Sequence, residues 1–241
     1  MSAAAAKRFY REVAVVEATA EEGADGHGVA LDGRPLRTPA RRPLILPTRA
    51  LAEAVASEWA GQQDRIDPHS MPMMRLAATA LDRVVDERRR VLAEMAAYGE
   101  NDLLCYRVES PVELVAKQAE AWDPLLAWLR RRYDIGLRVT SALVHVPQET
   151  AARAAFERIV DAFDPMRISA LHNVTTITGS LVLALALAAR EIDAEQTFEL
   201  GEIEESYQIG LWGEDAEAMA RRGARRETLA DCARFLDLLD S

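Results

Sequence analysis

Cations are scarce in this sequence, and so are cysteines and aromatic rings. Only 29 Lys and Arg stand against 39 Asp and Glu, a formal net charge of −10. Phosphate backbones are held by clustered cations, so the balance argues against nucleic acid as a partner. It argues equally against an anionic membrane surface. A basic patch on another protein stays compatible, because opposite fields speed encounter. The cysteines, Cys105 and Cys232, have no neighbour at metal-ligand spacing and are too few for a disulfide framework. They read as free thiols of a reducing compartment. Nothing before Lys7 has the apolar centre of a secretory signal. The longest apolar run, residues 174–189, falls short of the ~20 residues a spanning helix needs. It reads as a helix buried on most sides, and no membrane insertion is expected.

The signatures of catalysis are missing as well. G-x-x-x-x-G-K-[ST] is absent. Gly23, Gly26 and Gly28 precede a strand-like stretch, whereas a phosphate cradle needs a helix N-terminus there. A hairpin loop is expected, and no ATP hydrolysis. His27, His69, His145 and His172 are not paired at helical spacing, and H-E-x-x-H does not occur. No metal or cofactor is expected. There is no G-x-S-x-G, and Cys105 sits among apolar neighbours in Leu103-Leu-Cys-Tyr106, the setting of an inert thiol. A hydrolase-like enzyme with a dispersed active site is the alternative to a protein that binds.

What is present is a globular composition rich in Ala and Leu, 49% apolar and 28% charged over 241 residues. Those residues lose little entropy in a helix. The predicted fold class is α+β: a small antiparallel β-rich part over residues 1–47, then a mainly helical part over 48–241. Arg8 to Val16 is rich in β-branched and aromatic residues. Asp32-Gly33 between apolar flanks predicts a type I′ hairpin turn. Pro43-Leu-Ile-Leu-Pro47 reads as a short strand.

The period changes after Pro47. Thr48 is placed as an N-cap, Leu51, Val55 and Trp59 recur every fourth residue, and Gly61 ends the helix. Further helices are predicted over 71–85, 87–98 with Gly99 as the stop, and 111–122. Asp123-Pro124 is read as the cap and first turn of a new helix to Tyr133. Residues 137–146 are of uncertain type, and 147–163 form an amphipathic helix broken by Asp164-Pro165. The last third is helical over 173–190, 193–211, 214–222 and 226–239, with Asp193 as a cap.

Two features carry a binding signal. Met71-Pro-Met-Met74 suits either gap-filling in a core or an adaptable binding surface. The stretch Leu200 to Gly213 places Leu200, Ile203, Tyr207 and Leu211 on one helical stripe. Beside it Glu204, Gln208 and Trp212 recur every fourth residue, setting a carboxylate, an amide and an indole at the edge of the core. A partner's Arg or backbone N–H could satisfy such a carboxylate, and Trp and Tyr are frequent anchors. The competing reading pairs Glu204 with an arginine of this chain and turns Trp212 inward.

Several segments, in order, resemble the assembly chaperones of the ATP synthase F1 sector, the family that binds the free α subunit. They are Arg8-Phe-Tyr10, Leu31 to Pro39, Glu58-Trp59, Ile66-Asp-Pro68, Met71-Pro72, Asp102 to Arg107, Gln118, Trp122-Asp-Pro124, Ile203-Glu204, Tyr207-Gln208 and Trp212-Gly213. The resemblance implies an ATP-independent chaperone that shields the intersubunit surface of the F1-ATPase α subunit until β binds. It implies a β-rich N-terminal part before a helical one. It places the family's important acid on Glu204, or on its neighbour Glu205 instead. Together with the helical row, the expected contact is Glu204, Gln208 and Trp212, with Tyr207 supporting them from the core. Eukaryotic members carry a targeting extension. With almost nothing before Lys7, a bacterial cytoplasm is the expected location. The stretch after Gly213 resembles the family least and receives no role.

Overall fold

The computed structural model describes residues 6–18, 26–142 and 146–241. Residues 21–25 of the glycine-rich stretch, His145 and part of the 137–146 segment lie outside them. The fold is α+β, as expected: a three-stranded antiparallel sheet precedes a series of helices. Two compact units form. One comprises residues 1–88, 165–170 and 234–241, the other 89–164 and 171–233.

In the first unit, β1 (Val13–Glu17) pairs with β2 (His27–Leu31), which pairs with β3 (Arg34–Pro35). Asp32 and Gly33 both take positive φ, 48° and 76°, the geometry of the expected hairpin turn. The Asp32 carboxylate accepts from the Arg11 and Glu12 amides at 3.0 and 2.8 Å. Those two bonds are the main cause holding its pKa below the usual carboxylate range.

The strand expected from Arg8 begins only at Val13, because the backbone before it bonds elsewhere. The Arg8 amide donates to the Asp64 carbonyl, and the Ile66 amide to that of Ala6. Arg8 lies over the Tyr10 ring and donates to the Ala60 and Gln62 carbonyls. The Tyr10 hydroxyl donates to the Trp59 carbonyl at 2.7 Å. Residues 43–47 form no strand, only bridges at Pro43 and Leu46. Proline at each end removes the donors a ladder would need.

Helix α1 (Arg49–Ala60) starts at Thr48, whose hydroxyl accepts from the Leu51 amide, and ends at Gly61. The Glu58 carboxylate accepts from the Met73 and Met74 amides at 2.7 and 2.8 Å, capping α2 (Pro72–Thr79). Met71, Met73 and Met74 are buried. The methionine run is therefore core and not a binding surface. A π-helical turn (Ala80–Val84) joins α2 to α3 (Val85–Glu100), so the boundary expected between 85 and 87 is only a kink at Glu87. The wider turn leaves the Leu81 carbonyl to accept from Arg42, and Asp82 accepts from the Thr38 hydroxyl and Ala40 amide.

In the second unit, Gly99 does not stop α3 but lies inside it. A Cβ there would come within 2.4 Å of the Phe156 ring. Phe156 is fully buried in α5 (Thr150–Asp161). Gly99→Ala should therefore lower stability by about 1–3 kcal/mol through overpacking, read as a lower midpoint in urea.

Helix α4 (Val112–Tyr133) runs unbroken through Pro124, against the expected break. Trp122, Leu125, Trp128 and Leu129 are buried on both sides of the proline. Their burial outweighs the one missing bond. The 174–189 run is not one helix. Gly179, at φ 69°, separates α6 (Pro165–Thr178) from α7 (Leu181–Ala188), whose residues 181–187 are all buried. Asp193 and Gln196 form a capping box at the start of α8 (Ala194–Gly201). α9 (Ile203–Trp212) follows after a break at Glu202, and α10 (Ala216–Leu239) is one helix where two were expected.

Candidate functional site

Helix α4 positions the expected site. The buried Gln118 amide accepts from the Val108 N–H at 2.9 Å and donates to Glu204 Oε1 at 2.7 Å. One turn on, Trp122 Nε1 donates to the Leu200 carbonyl at 2.9 Å, and Lys117 Nζ lies 5.5 Å from the centre of the Tyr207 ring. These contacts hold the last carbonyls of α8 and the first turn of α9.

The stripe expected along 200–211 does not sink into a core. Glu202 interrupts it at φ −115°, ψ 17°, and no residue of α9 is buried. Ile203, Glu204, Glu205 and Tyr207 are half-buried, and Gln208 is exposed. Leu211 and Trp212 are 58% and 79% exposed at the far end. Gly213 ends the helix at φ 87°. Glu204, Gln208 and Trp212 thus run along α9 from a carboxylate held by Gln118 to an open indole. Glu204 is satisfied by a neutral amide, and Trp212 points to solvent. Glu205 reaches Arg225 at 3.4 Å and Arg222 at 4.0 Å. A cleft of about 430 Å³ opens beside α9, lined by Lys117, Phe198, Ile203, Tyr207 and Arg222 among others.

Residues 7–130 match the family described as ATP12 chaperone protein. Over 97% of this chain and 98% of the other, the structure is similar to Atp12 from Paracoccus denitrificans, with 40% identity and a TM-score of 0.91. A point variant of that protein gives the same figures. A protein from Agrobacterium tumefaciens shares 38% identity at a TM-score of 0.88, over 98% of this chain and 85% of that one. The chain belongs to the ATP12 chaperone family. The structural likeness extends past residue 130 to take in α8, α9 and α10.

In this ATP12-family chaperone the acid that is sealed by the chain's own cations is Glu202, which sequence reasoning passed over. It is 7% exposed and accepts from Arg222 at 2.8 Å and Arg225 at 2.5 Å. Arg222 also donates to the Ser206 hydroxyl at 2.9 Å. Burial, then the hydrogen bond with Glu205, pushes the Glu202 carboxyl up to about 7, against the pull of both arginines. The only sequence signal was the pair Arg222 and Arg225, which does not distinguish Glu202 from Glu204 or Glu205. Gln118 likewise stands out in the sequence only through the family resemblance.

The thiol chemistry is also fixed by burial. Cys105 and Cys232 are buried thiols outside any disulfide, and burial raises the Cys105 thiol to about 12. Among the described residues no group of His, Cys, Asp and Glu is arranged to hold a metal ion. Among them, too, no helix is long and apolar enough to cross a membrane.

Proposed function

We propose that this chaperone binds the unassembled α subunit of the F1-ATPase and covers its intersubunit surface until β displaces it, without consuming nucleotide. The reading is supported above all by α9, which offers Leu211 and Trp212 to solvent at 58% and 79% exposure. At its other end Gln118 and Lys117 fix Glu204 and Tyr207. An exposed tryptophan on a helix that also carries hydrogen-bonding groups is the makeup of a protein-binding hot spot. Covering that surface gains ~25 cal/mol per Å² before the entropy of association is subtracted. Glu204, Glu205, Tyr207, Gln208 and Trp212 are the proposed contact. The proposed location is a bacterial cytoplasm, a reducing compartment consistent with two buried thiols that form no disulfide.

Co-expression of the α subunit with this chain tests the reading. Trp212→Ala should lower soluble α about tenfold or more. It should leave the thermal midpoint of the chaperone unchanged, because the indole packs on little of its own chain. Glu204→Lys should have a similar effect on α. If soluble α is undiminished with either variant folded, the contact lies elsewhere.

A further inference from the structure

A second surface lies in the first compact unit, at the β2–β3 hairpin. A cavity of about 500 Å³ is lined by Phe9, Tyr10, Leu31, Asp32, Arg34, Pro35, Leu36 and Arg37. Its floor is apolar: Leu31 and Tyr10 are buried, and the Tyr10 hydroxyl already bonds to the Trp59 carbonyl. Its wall is Phe9, whose ring is 71% exposed and stands edge-on to Tyr10 at 5.4 Å.

The rim is cationic, in a chain whose net charge is −10. Arg34 and Arg37 line the cavity, and the field of Arg11 and Arg34 reaches Asp32. Arg37 donates to the Arg41 carbonyl, which keeps those two residues adjacent. Among the described residues Arg11, Arg34, Arg37 and Arg41 make no ion pair. The nearby Arg42, by contrast, is committed to Asp86 at 2.6 Å. Asp32 is the one acid lining the cavity, and its Oδ1 already accepts from the Arg11 and Glu12 amides. Arg34 and Arg37 therefore give the lining of this apolar hollow more positive charge than Asp32 offsets.

We infer that this hollow docks an acidic segment of a protein, with one apolar or aromatic side chain seated against Phe9 and Leu36 and flanking carboxylates on Arg34 and Arg37. Charge complementarity selects the occupant. Unpaired guanidinium groups recognise carboxylates in a planar, two-pronged fashion, and the exposed ring supplies the anchor. The hollow is too small for a folded surface but large enough for a side chain with its neighbours. The inference does not depend on α9, and no residue is shared between the two surfaces.

The probe is a fluorescein-labelled dodecapeptide of Glu and Ser with a single central Phe, titrated against the full chain in polarisation assays. The acidic peptide should bind, and a Lys-for-Glu counterpart should not. Arg34→Glu with Arg37→Glu should weaken binding roughly tenfold or more, and rising salt should weaken it further. Phe9→Ser should do the same with unchanged far-ultraviolet circular dichroism, because the ring is exposed. Arg131→Glu, an exposed arginine of the other compact unit, should leave binding intact. Equal binding of the two peptides, no binding of the acidic one, or full affinity in the folded double variant would each overturn the inference. So would tighter binding of single-stranded RNA or of phosphatidylserine vesicles than of the acidic peptide.

Discussion

Asp102→Ala is expected to lower the unfolding free energy by about 3 kcal/mol or more, among the largest effects of any single substitution in this chain. Asp102 is fully buried. One carboxylate oxygen accepts from the Leu104 amide at 3.1 Å and the Ser180 hydroxyl at 2.7 Å, and the other from the Val182 amide at 3.0 Å. Ser180 in turn caps α7 by accepting from the Leu183 amide. The Leu103 amide donates to the Gly179 carbonyl at 3.0 Å. One side chain therefore joins the turn at 102–105 to the break between α6 and α7. Alanine would leave three buried donors without an acceptor. Asp102→Asn keeps the shape but turns a second donor toward the Val182 amide, so it too should destabilise, by about 1–3 kcal/mol. Urea denaturation would measure both. Losses within 0.5 kcal/mol of zero would mean that water or rearrangement satisfies the donors.

The same group predicts a pH dependence whose sign follows from its burial. Desolvation outweighs the hydrogen bonds from Val182, Ser180, Leu104 and Leu181 and raises the Asp102 pKa from 3.8 to about 6. The folded state therefore binds the proton more tightly than the unfolded chain. The resulting stability is complete below about pH 4 and is lost as pH rises through about 6. Glu202, raised from 4.5 to about 7, acts with the same sign over a slightly higher window. Between pH 7 and pH 5 the wild type should gain about 1 kcal/mol from Asp102 that Asp102→Asn does not gain.

Glu202→Ala is expected to cost about 3 kcal/mol and to abolish client binding although Glu204, Gln208 and Trp212 are untouched. The Arg222 side chain is 11% exposed and would lose its charged partner at 2.8 Å. Arg225 would lose its contact at 2.5 Å. What remains to the two arginines is Ser206, the longer reach to Glu205 and the face of Phe198 under Arg222. The start of α9 would then be held to α10 only weakly. Glu202→Gln keeps an acceptor and should lose less, about 1–2 kcal/mol. Limited proteolysis would report the change directly: cleavage within residues 200–213 should appear in Glu202→Ala and not in the wild type. A Glu202→Ala protein that resists protease there and keeps α soluble would show that α4 alone holds α9.

Local chemistry made much of this molecule legible in advance. Asp32-Gly33 turns a hairpin because both positions need positive φ, and Thr48 and Asp193 cap helices because their side chains reach amides close in sequence. The amphipathic start of α1 buries the residues its spacing selects. These outcomes depend on atoms within a few residues of one another, so the sequence carries them whole.

Tertiary packing decided the rest. Pro124 sits inside a helix because buried residues on both sides hold it there. Gly99 is required by Phe156, a residue far away in sequence, and not by a helix end. Glu202 and Glu204 are two residues apart and alike in type, yet one is sealed between Arg222 and Arg225 while the other rests on Gln118. Spacing along a helix gives the direction of a side chain, but not what another helix brings to meet it. The sequence on its own determined the strand-to-helix order, the hairpin turn at Asp32-Gly33, the caps at Thr48 and Asp193, and the row from Glu204 to Trp212. Which acid is buried, which ring stays open and which arginines remain unpaired were settled by folding, because burial and ion pairing depend on groups that meet only in three dimensions.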